Sequence, residues 1–237
     1  MLRVVTVYPD LLGTYGDRGN GIVLHRRATL RGFAAEHIEA RSDGALPPAD
    51  VYCIGGGEDG PQQLAVARLE RDGTLRGRVA DGAVVLAVCA GLQVLGRSFA
   101  SADGARAEGL GLFALDTVAG PGPRSVGEVV VDSADKGFFP LTGFENHAGR
   151  TVRDAGLAPL GRVTLGVGNG DGTDGAVAGR LVGTYLHGPV LARNPRLADW
   201  LLAIALGEDE LAELEGDPSV GLHEERLHAA GRARALR

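Results

Sequence analysis

The chain has 237 residues, of which 44% are hydrophobic and 23% are charged, and its formal net charge is −6. This balance is typical of an ordinary globular domain and excludes a nucleic-acid-binding surface built from a large basic block. No apolar run approaches the ~18 residues of a membrane span, and the first residues do not resemble a signal peptide, so we expect a cytoplasmic protein. The two cysteines, Cys53 and Cys89, lack the spacing of a metal site, so we expect no metal.

Three apolar runs in the first part of the chain predict buried strands, at Leu2–Tyr8, Val51–Ile54 and Val84–Val88. Each is followed by a turn and a helical pattern, and the predicted helices are Asn20–Arg31, Gln62–Leu69 and Leu92–Ser98. In the first helix, the residues expected to face inward are Ile22, Val23, Leu24 and Leu30. Strands that alternate with helices predict an α/β fold, with a mostly parallel central sheet, helices on both faces and a crevice at the carboxyl ends of the strands.

The second half of the chain has short β-type runs between Gly-rich turns. The runs are Ser125–Val131, Thr142–Asn146, Arg162–Val167 and Ala176–Leu186. They predict an antiparallel extension of the same domain, not a second domain. A helix is predicted at Pro195–Leu206, with Gly207 at its C-terminal stop. We therefore predict one domain over residues 1–206 and a charged, helix-prone tail over residues 207–237.

The segment AVVLAVCAGLQVLG, residues 83–96, places Cys89 between a strand and a helix. A nucleophile on such a sharp turn is exposed above the sheet, and the partial positive charge of the helix N-terminus favours its thiolate form. The N–H of Ala90, the next residue, is then a candidate oxyanion donor. The alternative is a buried structural cysteine, and Cys53, inside an apolar strand, is predicted to be one.

The run Cys89-Ala90-Gly91-Leu92-Gln93 resembles the C-x-G-x-Q nucleophile motif of class I glutamine amidotransferases, with Ala87 in place of the usual leading glycine. The resemblance implies a flavodoxin-like fold and a cysteine that attacks the side-chain amide of L-glutamine. It also implies that Gln93 contacts this substrate. The alternative for Gln93 is a solvent-facing residue in the first helical turn.

A glycine-rich loop, Gly55-Gly56-Gly57-Glu58-Asp59, follows the second predicted strand. Three glycines let backbone N–H groups approach a ligand closely, although such a run is more often a tight turn, and the ending of a P-loop is missing. Class I amidotransferases place a Gly-rich loop at this chain position to supply a second oxyanion N–H. By that resemblance Gly56 and Gly57 are both candidates, and the sequence does not decide between them.

Thiol attack on an amide requires a base, and imidazole suits neutral pH. His187 ends a β-type run just before Gly188 and Pro189, which turn the chain, so it is placed to face a crevice. The segment Gly183–Gly188 resembles the G-T-Y-x-H-G signature of the cobyric-acid-synthase-like branch, which implies that His187 is the general base. His147 is the second candidate, either as a loop residue that borders the site or as an ordinary turn histidine.

The group that orients His187 is missing from its usual place. Most class I enzymes carry an acid two positions after the histidine, and here that position is Pro189. We expect the partner chain to supply or position the orienting group, so that the free subunit is a slow glutaminase. The alternatives within the chain are Glu145 and Asp199, which the sequence does not place relative to His187.

Four segments narrow the resemblance, namely Tyr15–Asn20, Gly55–Gln63, the nucleophile motif, and Gly143–Thr151 with Gly183–Pro189. Their order and spacing resemble the GatD-type glutaminase subunits that pair with MurT-type ATP-dependent synthetases. That resemblance implies release of ammonia from glutamine, which the partner uses to amidate the D-glutamate α-carboxylate of the lipid II stem peptide. It also implies that Arg124 faces the glutamine or the ammonia passage, whereas the alternative is a loop arginine in solvent.

No ATP-binding signature occurs in the sequence, so we expect no cofactor in this chain. ATP and Mg²⁺ are expected on a separate synthetase subunit, and lipid II implies an encounter with the membrane surface. An amidotransferase of corrinoid biosynthesis is the main alternative, although such a domain is usually fused to its synthetase domain. A cysteine hydrolase of another superfamily and a non-catalytic subunit of the same fold are further alternatives. Cys89, Gln93 and His187 argue against the last.

Overall fold

The computed structural model describes residues 1–100, 104–132, 137–138 and 140–235, with side chains as far as residue 231. Strands and helices are numbered along the chain. The strands are β1 (Leu2–Val7), β2 (Ala35–Ala40), β3 (Val51–Ile54), β4 (Val84–Val88), β5 (Ser98–Ala100), β6 (Arg106–Glu108), β7 (Leu115–Ala119), β8 (Ser125–Asp132), β9 (Leu141–His147), β10 (Gly149–Arg153), β11 (Gly161–Leu165), β12 (Thr173–Asp174), β13 (Ala176–Ala178) and β14 (Leu181–Thr184). The helices are α1 (Gly19–Leu30), α2 (Asp59–Asp72), α3 (Thr74–Ala80), α4 (Ala90–Leu95), α5 (Val190–Arg193), α6 (Pro195–Leu206) and α7 (Pro218–Ala235).

A central six-stranded sheet has the order β13-β14-β4-β3-β1-β2. Every pairing in it is parallel except that of the edge strand β13 with β14. Each residue of β3 and β4 is buried, as expected when helices cover both faces of a parallel sheet. The prediction of a mostly parallel α/β sheet is confirmed, and the carboxyl ends of β1, β3, β4 and β14 meet along one edge.

The antiparallel extension predicted for the second half is present for the runs Ser125–Val131, Thr142–Asn146 and Arg162–Val167. The fourth run, Ala176–Leu186, instead supplies β13 and β14 of the central sheet, and β14 is parallel to β4. Beside the central sheet lie two four-stranded sheets, with the orders β10-β7-β5-β6 and β12-β11-β8-β9. Their pairings are antiparallel except that of β5 with β7. The long pairing of β8 with β9 runs from Ser125 opposite His147 to Val131 opposite Leu141. This hairpin matters for function because the end of β9 lies beside the carboxyl edge of the central sheet.

The predicted inner face of α1 is wrong for two of its members, since Ile22 and Leu30 are 50% and 52% exposed. Leu24, Arg27 and Ala28 are buried instead. The reason is that Arg27 enters the interior with its charge paired to acidic residues, so apolar residues alone do not mark the buried face. The helix predicted at Leu92–Ser98 is placed too late in the chain, since α4 begins at Ala90 and ends at Leu95, and Ser98 begins β5.

The helix predicted at Pro195–Leu206 is confirmed, and Gly207 after it adopts a left-handed conformation with φ 77°. The following tail packs on the domain through Asp217, which pairs with Arg27, and through His223, whose ring contacts the carbonyl of Arg193. The domain boundary at residue 206 stays a prediction. In the part of the chain that the structure describes, no helix combines the length and apolarity needed to cross a membrane.

Candidate active site

Cys89 lies on a strained turn at the carboxyl end of β4. It has φ 52° and ψ −105°, a conformation that L-residues rarely adopt and that is often found at functional sites. The turn is tight because the N–H of Gly91 donates to the carbonyl of Gly55 at 3.1 Å. A Cβ at Gly91 would approach the Ile54 carbonyl oxygen to 2.6 Å, so only glycine fits there. Cys89 is 7% exposed and lines a cavity at this edge of the sheet.

His187 comes to the same edge from β14. That strand pairs in parallel with β4, and Thr184 lies opposite Val88, so the two strands end side by side. The backbone of His187 is fixed by Phe144, which accepts its N–H at 2.8 Å and donates to its carbonyl at 3.2 Å. The imidazole is fully buried. The sheet register therefore brings Cys89 and His187 together from positions far apart in sequence.

Asp17 holds the imidazole of His187. The Oδ2 atom of Asp17 lies 2.7 Å from His187 Nδ1 and also accepts the N–H of Gly56 at 2.9 Å. Both members of the Asp17–His187 pair are buried. A carboxylate on Nδ1 fixes the ring orientation and stabilises the protonated form, which is the part played by the third member of a catalytic triad.

The pKa of His187 follows from these neighbours. Burial lowers it, but the hydrogen bond with Asp17 and the neighbouring Cys89 thiol raise the pKa of His187 to about 10. Its Nε2 atom makes no hydrogen bond with the described residues, and the register of β14 on β4 brings Cys89 to the same end of the sheet. An imidazolium beside a thiol is the arrangement that favours the nucleophilic thiolate.

The expectation of an orienting group from a partner chain is wrong, because Asp17 occupies that position within this chain. The two alternatives within the chain are wrong as well. Glu145 accepts the N–H groups of Val167 and Gly168. Asp199 pairs with Arg27 on another part of the molecule. Asp17 was overlooked because it lies 170 residues before His187, on the loop after β1.

Of the two candidate loop glycines, Gly56 does not fit an oxyanion role. Its N–H is already donated to Asp17, so it is not free for a substrate oxygen. The absence of a side chain is needed, because a Cβ on Gly56 would lie 2.7 Å from His187 Cε1. Gly57 lines the cavity beside Cys89, and Ala90 begins α4, where an N–H has no partner within the helix. Gly57 and Ala90 remain the candidates.

The cavity is lined by polar side chains as well as by the cysteine, among them Gln62, Gln93, Arg124 and His147. The Oε1 atom of Gln93 accepts a hydrogen bond from Gln62 Nε2 at 2.9 Å, and its Nε2 lies 3.4 Å from the hydroxyl of Tyr185. Gln93 therefore faces the cavity in a fixed orientation and does not simply point to solvent. Among the described residues, no three His, Cys, Asp or Glu side chains are grouped to hold a metal ion.

His147 lines the cavity, but its hydrogen bonds do not suit it to act as the base. Its Nδ1 contacts the carbonyl of Gly149 at 3.1 Å, and its Nε2 contacts Glu145 Oε2 at 3.3 Å. The ring stacks on Tyr185 with the centroids 4.0 Å apart. Because both nitrogens are engaged with acceptors, neither is available to take a proton from a cysteine. The geometry places His147 at the border of the site.

Cys53 and Arg124 complete the residues considered from sequence. Cys53 is buried in β3, and burial raises the pKa of its thiol to about 12, which fits the structural role predicted for it. Arg124 is largely exposed and lines the cavity, while its Nη2 donates to the backbone carbonyl of Asn146 at 3.1 Å. Arg124 is thus both a surface residue and part of the cavity wall.

Residues 3–195 match the family described as CobB/CobQ-like glutamine amidotransferase domain. The match covers the central sheet and the elements that carry Asp17, Cys89 and His187. The chain belongs to this family.

Two relatives of this amidotransferase domain are similar over most of their length. The lipid II isoglutaminyl synthase (glutamine-hydrolyzing) subunit GatD of Staphylococcus aureus is 37% identical over 209 residues, which are 85% of this chain and 84% of that protein. GatD of Streptococcus pneumoniae is 34% identical over 212 residues, 86% of this chain and 80% of that protein. The cobyric acid synthase of a Synechococcus species is 37% identical over 134 residues, which are 54% of this chain and only 26% of that protein.

A solved structure supports the fold of this amidotransferase domain. PurLQS from Thermotoga maritima superposes with a TM-score of 0.55 at 14% identity, covering 95% of this chain and 99% of that one. At so low an identity the likeness concerns the fold alone. It agrees with the α/β architecture predicted from the sequence.

Sequence reasoning about this amidotransferase missed two residues of the site, Asp17 and Tyr15. Both lie in the segment Tyr15–Asn20, which drew attention only through its resemblance to relatives. Tyr15 has φ 56°, and its ring lies edge-on to the imidazole of His187 with the centroids 4.9 Å apart. An acidic residue in the loop after a buried parallel strand was the available signal, because such strands end at the active edge, but Asp10 in the same loop fits that signal as well.

Proposed function

We propose that this amidotransferase is the glutaminase subunit of a lipid II isoglutaminyl synthase. The observation that carries the proposal is the Asp17–His187–Cys89 arrangement at the carboxyl edge of the sheet, in a chain similar to two GatD subunits over most of their length. In this proposal, the chain hydrolyses L-glutamine and passes ammonia to a MurT-type synthetase. ATP and Mg²⁺ belong to that partner, which amidates the D-glutamate α-carboxylate of the lipid II stem peptide.

The proposed reaction begins at the thiolate of Cys89, whose Sγ attacks the side-chain amide carbon of glutamine. The N–H groups of Ala90 and Gly57 stabilise the oxyanion that forms. Protonated His187, held by Asp17, donates its Nε2 proton to the departing nitrogen, and the C–N bond breaks to release ammonia. A glutamyl thioester remains on Cys89.

Water completes the cycle. Neutral His187 takes a proton from the water molecule as its oxygen attacks the thioester carbon, and the C–S bond breaks to give glutamate and the Cys89 thiolate. In this proposal, Gln93 and Arg124 bind glutamine from the cavity wall, with the guanidinium of Arg124 suited to the substrate's carboxylate. The imidazolium that remains after each turnover is the state expected from the raised pKa of His187.

Isotope transfer tests the whole proposal. The chain is incubated with L-glutamine labelled with ¹⁵N at the side-chain amide, a MurT-type synthetase, ATP, Mg²⁺ and lipid II. We expect ¹⁵N in the new α-carboxamide of D-glutamate. Cys89→Ser should abolish this transfer but still allow amidation from added ammonia, because the partner's chemistry is intact.

The second candidate is ammonia supply for corrinoid amidation. It rests on the similarity to cobyric acid synthases, which covers about half of this chain. The same isotope assay with a corrinoid carboxylate acceptor and its synthetase separates the two functions. Transfer of ¹⁵N to the corrinoid and none to lipid II would contradict the proposal.

A further inference from the structure

Asn146, near the carboxyl end of β9, makes hydrogen bonds with both Arg124 and Tyr15. Arg124 donates from Nε to the side-chain Oδ1 of Asn146 at 2.5 Å and from Nη2 to its backbone carbonyl at 3.1 Å. A guanidinium only donates hydrogen bonds, so the atom it contacts must be the amide oxygen. The orientation of the Asn146 amide is thereby fixed, and its Nδ2 points away from Arg124.

The Nδ2 atom of Asn146 donates to the hydroxyl of Tyr15 at 2.7 Å. Tyr15 is 42% exposed and has a strained backbone, yet its ring lies edge-on against the imidazole of His187. Strain of this kind persists only where surrounding contacts hold the residue. Tyr15 and Asp17 belong to the same loop, so two residues of this loop contact one imidazole, Asp17 at Nδ1 and Tyr15 at the ring.

The residues that contact His187 and Tyr15 from this side, Phe144 and Asn146, both lie on β9. Side chains two residues apart on a strand share a face, so Phe144 and Asn146 project the same way. Phe144 exchanges backbone hydrogen bonds with His187, and its ring lies 6.2 Å from that of Tyr15. Asn146 itself does not line the cavity, whereas Arg124 does. It can therefore act on a substrate only through the residues it holds.

We propose that Asn146 is a positioning residue that holds Arg124 in the cavity wall for the carboxylate of glutamine and holds Tyr15 against the base His187. The inference rests on the proposed glutaminase function. Fixing both side chains before the substrate arrives lowers the cost of ordering them on binding and keeps the imidazole in its reactive position. Loss of Asn146 should thus affect both glutamine affinity and the Cys89–His187 pair.

Glutamine affinity is measured by calorimetry on the full chain in a Cys89→Ala background, where hydrolysis cannot occur. We expect Asn146→Ala to raise the Kd for L-glutamine about tenfold, as is typical of losing a hydrogen bond to a charged group. In a chain that also carries Arg124→Ala, the same change should have no further effect, because it acts through Arg124. Val126→Ala is the matched control, since Val126 lies opposite Asn146 on β8 and is exposed.

The proposed effect of Asn146 on His187 through Tyr15 is tested by the pH profile of Cys89 alkylation with iodoacetamide. This measurement needs no glutamine. We expect Tyr15→Phe and Asn146→Ala to displace the midpoint of this profile in the same direction, because both remove the hydrogen bond between Asn146 Nδ2 and the Tyr15 hydroxyl. If Asn146→Ala does not fold, the Tyr15→Phe profile still decides whether that effect exists.

Three results would overturn the inference. They are an unchanged Kd in Asn146→Ala, an equal loss of affinity with and without Arg124, and an unchanged alkylation profile in Tyr15→Phe. Failure of the Cys89→Ala chain to bind glutamine at all would instead reject the proposed function, and with it the inference.

Discussion

At the residue scale, Cys53 and Cys89 show how position decides the chemistry of one side chain. They lie on adjacent strands of the same sheet, yet Cys53 is in the middle of β3 and Cys89 follows the last residue of β4. Cys53 is surrounded by apolar groups, and burial alone raises the pKa of its thiol to about 12. Cys89 lines a cavity and lies at the same sheet edge as the imidazole of His187.

Alkylation distinguishes the two cysteines. We expect iodoacetamide at neutral pH to modify Cys89 and to leave Cys53 unmodified in the folded protein, because only a thiolate in reach of solvent reacts. Cys89→Ser should abolish glutamine hydrolysis, whereas Cys53→Ala should keep it and cost about 1 kcal/mol of stability. Peptide mass spectrometry locates the label. Modification of Cys53 in preference to Cys89 would contradict the assignment of the nucleophile.

The pairing of Asp17 with His187 predicts how stability depends on pH. The folded pKa of His187 is about 10, above the ordinary value of 6.5 that applies to the unfolded chain. The stabilisation from the charged pair is fully present below pH 6.5, where both states bind the proton, and is lost as pH rises towards about 10. Urea unfolding across this window should show the decline.

Asp17→Asn is the comparison for that measurement, because it removes the negative partner of the imidazolium. The decline of the unfolding free energy between the two pKa values should be smaller in this variant than in the parent protein. Identical slopes in the two proteins would show that Asp17 does not hold a charged His187.

At the scale of single elements, the sequence predicts the strands and helices whose local pattern of apolar residues and turns defines them. The strands β3 and β4 are continuous apolar runs bounded by turns, and their bounds were predicted correctly. The inner face of α1 was predicted wrongly because Arg27 is buried by pairing with Asp199 and Asp217, which no local pattern contains. Burial of a charged residue depends on partners that only the fold brings near.

The same distinction applies to the site. The turn at Cys89 and the strand end at His187 are local features, so both positions could be proposed from sequence. Asp17 and Asn146 act through contacts across 170 and 131 residues, with His187 and Tyr15 respectively. The hydrogen bond from the Gly56 N–H to Asp17 could not be predicted from sequence either, because it depends on how the loop after β1 folds. Because no acid follows His187 closely in the sequence, we expected a partner chain to supply the group that orients it, and this expectation is wrong.

The glycine loop gives a prediction about steric fit. In Gly56→Ala the new methyl would lie 2.7 Å from His187 Cε1 and 2.8 Å from Thr14 Oγ1. Displacement of the imidazole should lower kcat by about 100-fold, as a misplacement near 1 Å can do. Gly60→Ala, four residues further along at the start of α2, is the control because its Cβ meets nothing within 4 Å. Equal activity of the two variants would show that Gly56 is not needed to seat the base.

A second prediction at this scale concerns the packing of the tail. Arg27 is buried between Asp199 and Asp217, and the latter precedes α7. Arg27→Ala leaves Asp217 without its ionic partner, whereas Asp199 keeps Arg31, and it should lower the unfolding free energy by about 3 kcal/mol. Its neighbour Arg26 is exposed, so Arg26→Ala should change the unfolding free energy by no more than about 0.5 kcal/mol. Chemical denaturation measures both, and an effect no larger in Arg27→Ala than in Arg26→Ala would contradict this account.

At the scale of the whole molecule, the fold brings the ends of three parallel strands to one edge. The loop after β1 carries Asp17, Cys89 directly follows β4, and the segment after β14 carries His187. Because β1, β3, β4 and β14 are neighbours in the sheet, the proposed triad of Asp17, His187 and Cys89 comes from this chain alone. In the proposed complex, the partner would then control delivery of ammonia and would not complete the catalytic machinery.

The most direct test of this claim is kcat for glutamine hydrolysis by the isolated chain and by its Asp17→Asn variant, with Asp199→Asn as the control. We predict measurable turnover without a partner, a loss of roughly 10²–10⁴-fold in kcat for Asp17→Asn with little change in KM, and near-parental activity for Asp199→Asn. The opposite result is an isolated chain that is inactive until a synthetase is added, with Asp17→Asn and the parent protein then equally active. That result would contradict a triad complete within this chain.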